Sequence, residues 1–79
     1  MNLFYCVAGA DTVNLDLQVI AANTDDAIEV WRVWASGVMN PESLEGASCE
    51  PYLVDLHIAR PIQGYIEWGT FKHIPVELP

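Results

Sequence analysis

Four side chains in this sequence have the chemistry to hold zinc or to support a nucleophile: Cys6, Cys49, His57 and His73. Zinc sites usually take two ligands from one turn, a few residues apart, and no two of these four are so spaced. The spacing therefore predicts no metal site and no bound cofactor. A cysteine nucleophile needs a neighbouring base, and no motif around either cysteine brings His57 or His73 to it. Cys6 sits in the apolar run from Leu3 to Ala8 and reads as an inert small core residue. Asp25 and Asp26 are adjacent carboxylates, but their place at the start of a helix accounts for them through the exposed N–H groups there. There is no glycine-rich phosphate loop, and the dispersed basic residues Arg32, Arg60 and Lys72 cannot form a phosphate-tracking stripe. The residues predict a binding protein rather than an enzyme, and no direct contact with nucleic acid.

Charge says what kind of partner such a protein would bind. Eleven Asp and Glu stand against three Lys and Arg, a formal net charge of −8 on 79 residues. A chain so acidic is repelled by nucleic acid and anionic lipid and drawn to basic surfaces. The length leaves room for one domain, residues 1–79, and 52% apolar composition is too high for a disordered acidic tail. No apolar run approaches the roughly 20 residues that span a bilayer, and the first residues lack a basic signal-peptide segment. A cytoplasmic protein with free thiols is expected; a disulfide between Cys6 and Cys49 is the alternative.

The elements that would position these charges follow from periodicity. Leu3 to Ala8 reads as a strand, followed by a turn at Gly9 to Thr12. From Asn14 to Ala21 the alternation puts Leu15, Leu17, Val19 and Ala21 on one face and Asp16, Gln18 and Ile20 on the other. Asn23 to Asp26 supplies caps for a helix from about Asp25 to Ser36, stopped by Gly37. Its apolar side would carry Ala27, Ile28, Val30, Trp31, Trp34 and Ala35, opposite Glu29, Arg32 and Ser36. A long loop at 37–51 follows, with one short helical turn through Leu44 after Asn40-Pro41; it reads either as a functional loop or as a spacer. Tyr52 to Arg60 alternates again, with Val54, Leu56 and Ile58 inward. A three-residue loop ending in Gly64 then predicts a hairpin that pairs Ile58 with Trp68 in the core and Ala59 with Glu67 outside. Pro75 and Pro79 mark an edge strand or tail. The expected fold is α+β: an antiparallel sheet of about four strands, in the order ββαββ, with one helix on one face.

On the sheet face away from the helix this register gathers Asp16, Gln18, Asp55, His57, Tyr65, Glu67 and Phe71. Carboxylates among aromatic anchors suit a basic protein surface, and Asp11, Glu42, Glu45 and Glu50 would extend the negative field as a rim. The other reading of that face is an ordinary solvated surface kept acidic for solubility.

In size, acidity and ββαββ order the chain resembles the phage-encoded anti-CRISPR inhibitors of type I systems. The segments that carry the resemblance are Leu3 to Ala8, Leu15 to Val19, Thr24 to Glu29, Tyr52 to Arg60 and Gly64 to Trp68. The resemblance implies a non-catalytic DNA mimic in the bacterial host's cytoplasm, occupying the basic DNA-binding groove of a CRISPR surveillance complex. It would act as a monomer, a dimer being the alternative. Two rival classes are an antitoxin or regulatory module covering a basic protein, and a small phage assembly protein that oligomerises through strand edges.

Overall fold

The computed structural model describes residues 1–10 and 13–79. Strand β1 (Asn2–Val7) is followed by a short hairpin of β2 (Gly9–Ala10) and β3 (Val13–Asn14), then β4 (Leu17–Ala21). Helix α1 (Thr24–Ala35) and the single-turn α2 (Pro41–Glu45) lead to β5 (Glu50–Val54), β6 (Gly64–Ile66) and β7 (His73–Pro75). Five strands form one antiparallel sheet in the order β5-β1-β4-β6-β7.

The helix forms where its caps and stripe require. The Asn23 side chain accepts a hydrogen bond from the Asp26 N–H at 2.9 Å, and Asp25 and Asp26 put negative charge in the first turn. Ala27, Val30, Trp31 and Ala35 form its buried stripe, against Phe4, Cys6, Leu17, Val19 and Ala21 of the sheet. Trp31 is fully buried, and its Nε1 donates to the Leu15 carbonyl at 2.9 Å, so the indole satisfies its one polar atom inside the core. Cys6 and Cys49 are both buried in this layer as free thiols. The two thiols act on each other: the neighbouring Cys49, then burial, push the Cys6 thiol up, while the neighbouring Cys6 holds Cys49 low.

The second half of the chain departs from the expected hairpin. Only Glu50–Val54 forms a strand, and β5 pairs with β1, Val54 opposite Leu3 and Glu50 opposite Val7. β6 pairs instead with β4, on the far side of β1, so two strands separate β5 from β6 and Ile58 never meets Trp68. Strand β6 continues into a hairpin with β7, an edge strand, and the sheet has five strands rather than four. Gly64 makes this hairpin close: a Cβ there would lie 2.0 Å from the Ile74 carbonyl oxygen.

The β5-to-β6 connection must therefore cross the sheet. Asp55, His57 and Ile58 share a cleft with Leu3, Tyr5 and Ile66, which places the crossing over the face away from α1. Ile20 lies on that same face. It was expected on the wet face and does point away from the helix, opposite Leu3, yet it is 1% exposed. Val54 and Leu56, expected in the core, are exposed, and Ile58 is only partly buried.

Candidate functional site

The face away from the helix holds an open cleft of about 520 Å³. Register builds its floor: Tyr5 lies opposite Gln18, Gln18 opposite Ile66, and Ile66 opposite His73, one row across four strands. Leu3 and Val54 continue the apolar wall, the crossing connection brings Asp55, His57 and Ile58, and the β6–β7 turn brings Phe71. A smaller cleft beside it is lined by Gln18, Ile66, Glu67, Trp68 and Phe71.

Gln18, Asp55, His57 and Phe71, expected together, thus do converge. Glu67 joins them at the margin, past the end of β6, where its N–H donates to the Lys72 carbonyl at 2.8 Å. Asp16 plays a different part. Its half-buried carboxylate accepts from the Tyr5 hydroxyl at 3.2 Å and from the Ala8 N–H at 2.8 Å, so it ties β1 to the chain entering β4. Burial, then the Asp16 charge and hydrogen bond, raise the Tyr5 phenol above its usual value.

Tyr65 requires correction. It lies opposite Val19 and packs on the helix-covered core, because the pairing of β6 with β4 reverses the face that the absent 58–68 hairpin would have given it. Of the expected rim, Glu50 stands on the open face at the β5 edge. Its Oε2 accepts from the Tyr52 hydroxyl at 2.8 Å, which raises the Tyr52 phenol. Glu42 and Glu45 ride on α2, whose Leu44 packs on the core cluster, so they stand apart from the cleft. Asp11 lies outside the described residues. The four thiol and imidazole groups divide between two layers, the cysteines in the core and both histidines at the cleft.

Periodicity left out Tyr5, Ile58, Ile66, His73 and Trp68. The first was legible, since Leu3 and Tyr5 share a strand face by the period of two. Trp68, expected in the core, is 55% exposed, and its Nε1 donates to the Asp16 carbonyl at 2.6 Å. The two indoles of Trp31 and Trp68 therefore hold consecutive carbonyls, Leu15 and Asp16, where the chain enters β4.

Phe71, an expected member, has a backbone conformation that periodicity does not foretell. Its φ is 57°, in the left-handed region that bulky residues avoid, and its side chain is 72% exposed. The turn sets that conformation: the Phe71 N–H closes back on the Glu67 carbonyl at 3.0 Å. Among the described residues no helix is long and apolar enough to cross a membrane. No protein-family model, curated protein or solved structure matches the chain, which leaves its own residues as the ground for a function.

Proposed function

We propose that the chain is a non-catalytic binding protein whose open sheet face docks on a basic protein surface. The observation that carries this reading is the combination on one face of exposed aromatics, Tyr52, Trp68 and Phe71, with the carboxylates Glu50, Asp55 and Glu67, in a chain of net charge −8. Aromatic groups give desolvated anchors that slow dissociation, while the excess charge steers encounter with a cationic partner. The specific partner we propose is the DNA-binding groove of a type I CRISPR surveillance complex in the bacterial cytoplasm. Such a groove holds DNA through Lys and Arg contacts to phosphate, and carboxylates on a rigid face can take the same cations.

Competition tests this directly. Purified protein should displace target DNA from the surveillance complex in a mobility-shift assay. The effect should weaken with added salt, because screening limits exposed charges to about 8 Å at physiological ionic strength. The double variant Asp55→Lys with Glu67→Lys should lose displacement, whereas Glu29→Lys, exposed on the outer side of α1, should keep most of it. Equal loss in both variants would mean that net charge alone acts, and no displacement by the unaltered protein would remove this partner.

A further inference from the structure

Phe71 takes a left-handed conformation that is costly for a bulky residue, and its ring gains little burial in return. A left-handed residue closing a turn is ordinarily Gly or Asn, and a non-glycine residue there persists only where its surroundings over-determine it, as at ligand clamps. Here the ring does no core packing: it stands 72% exposed between two clefts. The cleft beneath it has an aliphatic wall of Leu3, Val54, Ile58 and Ile66, and Asp55 is its carboxylate. An apolar sleeve, a ring face and one carboxylate match the three parts of a single side chain.

We propose that this cleft receives an arginine of the partner, its stem along the aliphatic wall, its guanidinium on Phe71 and against Asp55. This rests on the reading of the open face as a basic-surface docking site, and it names what that site grips. Arginine suits it better than lysine because guanidinium is planar, weakly hydrated and able to stack on a ring while pairing with a carboxylate. Charge selects the occupant too. An anionic ligand, or a second copy of this chain at −8, would be repelled.

The test uses isotope-labelled protein and three short peptides that are alike except for arginine, lysine or citrulline at two central positions, followed by NMR titration. The arginine peptide should perturb the amides of Ile66, Phe71 and Lys72 and bind more tightly than the lysine peptide, with citrulline weakest. Phe71→Gly should weaken arginine binding by about threefold to thirtyfold, the span of a cation–π contact from exposed to desolvated, and Phe71→Tyr should restore it. Asp55→Asn should erase the preference for arginine over citrulline. Because glycine suits a φ of 57°, Phe71→Gly should fold at least as well as the parent, so lost binding cannot be laid to unfolding.

Equal affinity for all three peptides, or perturbations centred away from Phe71, would overturn the assignment. If the parent and Phe71→Gly displace target DNA equally, the arginine site falls and the basic-surface reading stands. If arginine peptides bind at Phe71 but no surveillance complex is recognised, the arginine site stands and that partner falls.

Discussion

The two indoles that hold the entry to β4 should differ sharply in what they contribute. Trp31 has no exposed surface, so Trp31→Ala removes a full indole from the core and leaves the Leu15 carbonyl unpaired beside it. Truncations of this kind cost about 3–5 kcal/mol, against a total stability of roughly 4–12 kcal/mol expected for 79 residues. Trp68 makes the analogous bond to Asp16, but the ring is 55% exposed and water can replace its donor. Trp68→Ala should therefore cost no more than about 1.5 kcal/mol, the scale of one net hydrogen bond. Urea unfolding followed by far-ultraviolet circular dichroism measures both without relying on the tryptophans for signal. With a slope of about 1 kcal/mol per molar, the midpoint should fall by about 3 M or more for Trp31→Ala and by about 1.5 M or less for Trp68→Ala. Trp31→Phe, which keeps most of the volume and deletes the donor, should fall between them. Equal losses at the two positions, or a larger one at Trp68, would refute the assignment of Trp31 to the core and Trp68 to the surface.

Gly64→Ala should be more damaging than its size suggests, by about 2 kcal/mol or more, because its Cβ would lie 2.0 Å from backbone that cannot swing aside. Thermal melts would check it, and a change below about 0.5 kcal/mol would mean that the β6–β7 hairpin is not closed as described. The raised Tyr5 phenol makes a pH prediction: its stabilising contribution is fully present below the usual value of 10.0 and is lost as pH climbs through the raised one. Asp16→Asn should bring Tyr5 partway back, seen as earlier phenolate absorbance with Tyr5→Phe to assign it; an unmoved titration would refute the coupling.

The helix was legible because its signals are local. Asn23, the acidic first turn, the stripe of Ala27, Val30, Trp31 and Ala35, and Gly37 lie within one segment, and they gave its buried side and each end to within a residue. The alternation from Leu15 to Ala21 was legible for the same reason; Ile20 takes the expected face, and only its burial there departs from the reading. Pairing is a property of two strands. The alternation that continues through Leu56 and Ile58 is genuine in the sequence, but pairing with β1 ends at Val54 opposite Leu3, and the remainder becomes a crossing. Tyr65 and Trp68 were misplaced together because both inherited the register of that one unformed hairpin. Gln18, Asp55, His57 and Phe71 reached the same cleft partly by another route: the crossing connection, not a strand, delivers Asp55 and His57.

The strand order also dictates a sequence of events during synthesis. β1 is made before the other strands of its sheet yet lies between β4 and β5, so it can zip to β4 and be roofed by α1 while its other edge still lacks β5. Making the chain from Ala21 to Glu50 takes on the order of two to six seconds at cellular elongation rates. For that interval the backbone of Leu3 to Val7 offers an open edge, a template for pairing with another nascent chain. The late β1–β5 closure joins residues far apart in sequence, and such pairings are the slow ones. The acidic residues already translated by then, Asp11, Asp16, Asp25, Asp26 and Glu29 among them, repel neighbouring copies during this delay. The same charge that we propose steers the finished protein would keep the unfinished one solitary.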